Sequence, residues 1–201
     1  MSENNILGVI LAGGKSKRFG NDKTIAKLGN KTLLDHTIEK IEKNFNEILI
    51  VSNSEKLDIK KKNIFSTKDL IEGYLGPLVG VLSAMVWIEK NKKNYNWIAT
   101  FPCDTPFFEE NLINKIKNFP KESKKKLFFL KSGSRRHNIF GLWSLELKEF
   151  LLDDIYNGHR KVENWANKIG SEIIEIDDKN EYNFLNINTK EDLEKAKNKI
   201  K

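Results

Sequence analysis

A single cysteine, Cys103, is all that the 201 residues offer for disulfide chemistry. One cysteine cannot build an internal disulfide framework, which suits a reducing compartment. Long hydrophobic runs are also missing, and none approaches the ~20 residues of a membrane span. The N-terminal Met1-Ser2-Glu3-Asn4-Asn5 has no basic stretch and runs straight into the apolar Ile6–Ala12. No signal peptide is therefore expected, and the chain reads as cytoplasmic. Internal repeats, low-complexity segments and a linker are lacking too, so residues 1–201 are expected to form one domain. At this length a chain buries roughly 70% of its unfolded surface, enough for a core without staples.

What is present begins with charge. Lys and Arg number 35 against 28 Asp and Glu, a net +7, with a pI near 9.3. Such a balance favours anionic partners, either nucleic acid or phosphorylated small molecules. The charge forms no long basic arm. Lys60-Lys61-Lys62 and Lys124-Lys125-Lys126 are short, and much of the rest reads as a solvated lysine-rich surface. Hydrophobic residues at 39% and charged ones at 31% are those of an ordinary globular chain.

Apolar runs alternate with helical patterns. Ile6–Leu11 is apolar throughout but for Gly8, as in a strand buried on both faces. Further strands are expected at Glu47–Val51, Asn63–Ser66, Trp97–Phe101, Leu127–Leu130, Ile139–Trp143 and Glu172–Ile176. Thr32–Lys43 places Leu34, Ile38 and Ile41 on one helical face. Pro77–Asn91 opens with proline and then sets Leu78, Val81, Leu82, Met85 and Val86 at helical spacing. Helices are also expected at Glu109–Asn118 and at Thr189–Ile200, where Thr189 caps, Asp192 sits at N3, and Leu193, Ala196 and Ile200 face inward. The order of elements implies an α/β fold with a doubly wound, mostly parallel sheet. Pro120–Arg136 is read largely as loops on the active face.

In such sheets ligands bind beyond the carboxyl ends of the strands. After the first strand comes Leu11-Ala12-Gly13-Gly14, then Arg18 and Lys23. Two adjacent glycines let the backbone turn sharply and offer N–H groups to a phosphate. Arg18 can fork two phosphate oxygens, and Lys23 adds a point charge. The P-loop pattern fails here, because Val9 stands where its first glycine belongs, and the G-x-G-x-x-G turn is absent. After a later strand comes Pro102-Cys103-Asp104-Thr105-Pro106. Asp104 is placed either to bind Mg²⁺ together with substrate phosphates or to cap the helix that follows. Cys103 has no histidine nearby in sequence and reads as packing.

Taken in order, Leu11-Ala12-Gly13-Gly14, Arg18-Phe19-Gly20, Asp22-Lys23, Gly76-Pro77-Leu78-Val79-Gly80, Pro102-Cys103-Asp104-Thr105-Pro106 and Asn186-Ile187-Asn188-Thr189 resemble the molybdenum cofactor guanylyltransferases over nearly the whole chain. The resemblance implies a Rossmann-like nucleotidyltransferase fold. It also implies transfer of GMP from GTP to the phosphate of molybdenum-carrying molybdopterin, with Mg²⁺ and release of pyrophosphate. By position it assigns Leu11, Ala12, Gly13 and Gly14 to the guanine nucleotide and Lys23 to its phosphates. Asn53 and Asp69 match nucleotide contacts, although as residue types alone they read better as a turn Asn and a turn or capping Asp. Asp104 matches the ligand of magnesium and GTP, and Arg18 would share in neutralising charge.

On the acceptor side the helix opened by Gly76-Pro77 could receive a phosphate at its free N–H groups. Asn186 and Asn188 border the expected pterin pocket or serve turn and capping chemistry, and Arg160 and Lys161 match a basic pair there or are surface charge. His137 precedes Asn138 where the family commonly has His-Pro, which leaves its role open. His36 and His159 read as exposed or structural. Transient contact with cofactor-handling proteins or molybdoenzymes would follow from the product.

Two other readings compete. A cytidylyltransferase or sugar-phosphate enzyme tends to carry Ala-Ala-Gly where Ala12-Gly13-Gly14 stands here. A nucleic-acid module needs clustered basic and stacking aromatic residues, whereas Trp87 and Trp97 fall within helix and strand patterns, so no nucleic-acid partner is expected.

Overall fold

The computed structural model describes residues 5–13, 19, 23–57, 59, 61–73, 76–118, 123–177, 180 and 182–199. Its frame is a seven-stranded sheet. The strands are β1 (Ile6–Leu11), β4 (Ile48–Val51), β5 (Ile64–Thr67), β6 (Trp97–Pro102), β7 (Leu127–Ser132), β8 (Arg135–Ser144) and β9 (Glu172–Ile176), in the order β5-β4-β1-β6-β8-β7-β9. Pairings are parallel except where β8 runs antiparallel to both β6 and β7. A small ribbon of β2 (Lys27–Leu28) and β3 (Lys31–Thr32) stands apart.

Helices cover both faces, which is why the central strands read as continuous apolar runs. In β1, Ile6 and Ile10 join one core cluster while Leu7 and Val9 join the other. On the first face lie α1 (Leu33–Ile41), α3 (Glu110–Asn118) and α6 (Lys190–Lys197); on the second lie α2 (Pro77–Lys90), α4 (Lys148–Tyr156) and α5 (Val162–Ile169). Capping boxes start α1 through Thr32 and Asp35, and α6 through Thr189 and Asp192. At α6, Leu193 and Ala196 are buried as expected, while Ile200 lies outside the described residues.

Several expectations change in detail. The helix at Pro77 is buried on nearly every side, Val79, Ala84 and Ile88 included, because it packs between the sheet and α4. Leu127–Ser132 and Arg135–Ser144 form a hairpin through Gly133, whose φ of +52° suits glycine, so much of Pro120–Arg136 is strand rather than loop. The helices α4 and α5 fill a stretch to which the sequence assigned no element. Within the hairpin, a Cβ on Gly141 would stand 2.9 Å from the Phe129 ring and 3.0 Å from the Phe128 carbonyl oxygen.

Candidate active site

A cavity of about 440 Å³ opens at the carboxyl ends of β1, β4 and β6. Leu11, Gly13 and Val51 line it from the ends of β1 and β4, and Asp69 from the turn after β5. Gly76, Pro77 and Gly80 line it from the start of α2, and Pro102, Asp104 and Ile139 complete the wall. Its position follows from strand direction, since parallel strands deliver their following loops to one edge.

One wall is built on Asp69. Asn53 Nδ2 donates to Asp69 Oδ2 at 2.7 Å, and the Asp69 N–H donates to Asn53 Oδ1 at 3.0 Å. Ser83 of α2 accepts the next amide, Leu70 N–H, at 2.8 Å and donates to Val79 O at 2.7 Å. Burial raises the Asp69 pKa above the ordinary carboxylate value, against the opposing pull of the Asn53 hydrogen bond. A Cβ on Gly13 would sit 3.5 Å from Asp69 Oδ2, and one on Gly80 only 3.1 Å from Leu11 Cδ2. The bare Gly80 thus lets α2 come close to Leu11 at the end of β1, while Gly13 leaves room beside the Asp69 carboxylate.

The facing wall is built on Asp104. Lys23 Nζ donates to Asp104 Oδ2 at 2.8 Å and to Asn188 Oδ1 at 2.8 Å. Thr105 Oγ1 donates to Asn186 Oδ1 at 2.7 Å and lies 3.3 Å from Asp104 Oδ1, while Ile187 N–H donates to Asp104 O at 2.8 Å. The segment before α6 therefore clips the backbone and neighbours of Asp104 in place. The Asp104 side chain is 31% exposed, open enough to take a further ligand. Among the described residues no cluster of three or more His, Cys, Asp or Glu could hold a metal. An accessible carboxylate beside a cavity suits a divalent cation shared with substrate phosphates better than a cage made only of protein ligands.

Of the nucleotide residues expected from the sequence, Leu11, Gly13, Asp69 and Asp104 line the cavity. Asn53 reaches it through Asp69, and Lys23 through Asp104. The Ala12 N–H donates to Val51 O at 2.9 Å, extending the sheet. Gly14 and Arg18 lie outside the described residues.

On the expected acceptor side, the Arg160 carbonyl lies 3.4 Å from where a Gly76 Cβ would be, while its guanidinium closes the end of α4 on the Ile155 and His159 carbonyls. Lys161 stands at the start of α5 and is exposed. His137 is buried, stacked on Phe184 at 3.3 Å and bonded to Ser132, so packing accounts for it. His36 bonds Leu28 O, and His159 lies 3.9 Å from Asp154. Cys103 is buried as packing.

Sequence reasoning missed the Asn53–Asp69 ring and the Lys23–Asn188 contact. The spacing of Asn186 and Asn188 was the available signal, because alternate residues of an extended segment point the same way.

Residues 8–170 match the sequence pattern of the MobA-like NTP transferase domain family. The chain is 34% identical over 192 residues to the molybdenum cofactor guanylyltransferase of Haemophilus influenzae, covering 95% of this chain and 97% of that one. It is 31% identical over 195 residues to that of Histophilus somni, covering 96% of each. Its fold is similar to that of the molybdopterin-guanine dinucleotide biosynthesis protein A of Archaeoglobus fulgidus, with a TM-score of 0.80, 21% identity, and coverage of 96% and 98%.

Proposed function

The chain belongs to the MobA-like NTP transferase domain family, among the molybdenum cofactor guanylyltransferases, and from that membership we propose the reaction and the residues that carry it. The enzyme transfers GMP from GTP to the phosphate of molybdenum-carrying molybdopterin and so forms the guanine dinucleotide cofactor. An acceptor phosphate oxygen bonds to the α-phosphorus as the bond to the bridging oxygen of the β-phosphate breaks. Pyrophosphate leaves with that electron pair. The whole chain, residues 1–201, acts as one unit in the cytoplasm, meeting cofactor-handling proteins only transiently. No described helix is long and apolar enough to cross a membrane.

The observation that carries this reading is one cavity with two polar walls, Asn53 with Asp69 on one side and Lys23 with Asp104 on the other. Nucleotidyl transfer needs alignment and charge neutralisation more than covalent help. The acceptor is already a nucleophile, so no serine or cysteine is required. It is also an anion approaching an anion. Lys23, together with Arg18 five positions earlier in the sequence, reduces that repulsion and receives charge on the departing pyrophosphate. Asp104 would hold Mg²⁺, which supplies Lewis-acid stabilisation of the phosphates when bound. Leu11, Ala12, Gly13 and Gly14 would seat the guanine nucleotide, with the Asp69 wall fixed by Asn53 beside Gly13. Gly76, Pro77 and Gly80 bring the start of α2 to the same cavity, and its unbonded N–H groups could take a phosphate there.

Pyrophosphate release measured with molybdenum-molybdopterin, magnesium and each of GTP, CTP and ATP tests the reading, with mass spectrometry of the product. GTP alone is expected to give the dinucleotide. Equal use of CTP would overturn the guanylyl assignment, and no release with any triphosphate would overturn the reaction.

A further inference from the structure

The match to the family pattern ends at residue 170, yet the segment just before α6 supplies two side chains to the Asp104 wall. Asn188 is the more telling. Its amide oxygen accepts a hydrogen bond from Lys23 Nζ at 2.8 Å, the same length as the Lys23–Asp104 ion pair. The Lys23 side chain is only 16% exposed, so its ammonium depends on protein acceptors to hold it. Asn188 is itself fixed. Its N–H and that of Thr189 both donate to Asp192 Oδ2 at 2.9 Å, and Ile187 beside it is fully buried and bonded to the Asp104 carbonyl.

We infer that Asn188 is a positioning residue that aims the Lys23 ammonium at the nucleotide triphosphate. The inference rests on the assignment of Lys23 to the phosphates made above. The chemistry of the acceptor is the reason. A second carboxylate at this place would hold the lysine equally well but cancel its charge and repel the triphosphate. A neutral amide holds the ammonium and leaves its charge for the ligand. It also keeps the lysine in place when the charge of Asp104 is shared with a cation. Asn188 acts through Lys23, and this separates it from a residue that touches the acceptor.

Calorimetric titration of GTP in magnesium buffer tests this, using wild type, Lys23→Ala, Asn188→Leu and the double variant. Leucine keeps the bulk of asparagine and removes the acceptor oxygen. Loss of one such contact is expected to weaken binding on the order of five- to tenfold. Lys23→Ala is expected to weaken it more, and the double variant no further than Lys23→Ala alone. The KM for the pterin acceptor is expected to stay unchanged in Asn188→Leu. Asn188→Asp keeps an acceptor and serves should the leucine variant fail to fold; it too is expected to bind GTP more weakly. Additive effects in the double variant, unchanged binding in Asn188→Leu, tighter binding in Asn188→Asp, or a raised acceptor KM with GTP binding intact would each overturn the inference. If Lys23→Ala alone weakens binding, only the role of Asn188 falls; if it does not, the phosphate assignment of Lys23 falls with it.

Discussion

Asn53 and Asp69 close a ring of two hydrogen bonds, the Asn53 amide donating to Asp69 Oδ2 at 2.7 Å and the Asp69 N–H donating to Asn53 Oδ1 at 3.0 Å. The ring joins the loop after β4 to the turn after β5, and it orients the carboxylate against the cavity before any ligand arrives. Orientation set in advance spares the ordering cost at binding. It also keeps an acidic group half-buried, and that has a consequence for stability.

Burial raises the Asp69 pKa above its ordinary value. In the pH window between the unfolded and folded values, the native state therefore holds a proton that the unfolded chain has released. Stability is fully present below that window and is lost as pH rises through it. Asparagine cannot ionise and can still accept the hydrogen bond from Asn53. Asp69→Asn is expected to melt at a higher temperature than wild type at neutral pH, with the gap closing in acid, and to bind GTP more weakly. Melting curves across the pH range check this; a gap independent of pH would contradict it.

Asp104→Asn keeps the size of the side chain and the backbone bond from Ile187, but loses the charge that would hold a cation and pair with Lys23. Turnover is expected to fall on the order of a hundredfold or more, since it removes charge stabilisation of the transition state. GTP affinity should change much less. Steady-state rates at several magnesium concentrations, beside calorimetric binding, separate the two effects. Near-normal turnover at low magnesium would make Asp104 a turn or capping residue.

The sheet was legible where apolar runs are unbroken, as in Ile6–Leu11 and Trp97–Phe101, because burial on both faces leaves no polar alternation to confuse the period. Lys148–Tyr156 was not. Its apolar residues include Phe150 at 62% exposure and Tyr156 at 74%, so the apolar positions overrun the face that packs. α5 is short and begins after Lys161 without a side-chain cap. The polar start of β8, Arg135–Asn138, hid the hairpin, and a bulge between Phe129 and Leu130 shifts its register. At the site, Asp104 and Lys23 stood out by residue type after strands. The hold of Asn188 on Lys23 spans 165 residues of chain, and a contact at that separation has no local signature.

Gly141 tests the packing of that hairpin. An added Cβ would lie 2.9 Å from the Phe129 ring and 3.0 Å from the Phe128 carbonyl oxygen, and the backbone oxygen cannot yield as a flexible side chain would. Overpacking of this kind typically costs about 1–3 kcal/mol. Gly141→Ala is expected to lower the denaturant midpoint accordingly while leaving the KM for GTP near that of wild type, since Gly141 does not line the cavity. A midpoint equal to wild type would show that the sheet relaxes freely around the methyl group.

Lys23 and Lys124 separate the site from the bulk charge of a chain at net +7. Lys23 is held at the cavity by Asp104 and Asn188, whereas Lys124 is exposed in the stretch leading to β7. If anion binding were a property of the basic surface as a whole, the two alanine substitutions would weaken GTP binding alike. If the ammonium beside Asp104 is the phosphate contact, Lys23→Ala should remove a charge-assisted hydrogen bond worth about 1.5–3 kcal/mol, a loss on the order of ten- to a hundredfold. Lys124→Ala should stay within about 0.5 kcal/mol of wild type. Thermal melting of both variants comes first, because Lys23 also pairs with Asp104 and its loss leaves that carboxylate without its cation. With both variants folded, equal and small effects on GTP affinity would take the phosphates away from the Lys23 wall and leave the nucleotide to be held from the Asp69 side alone.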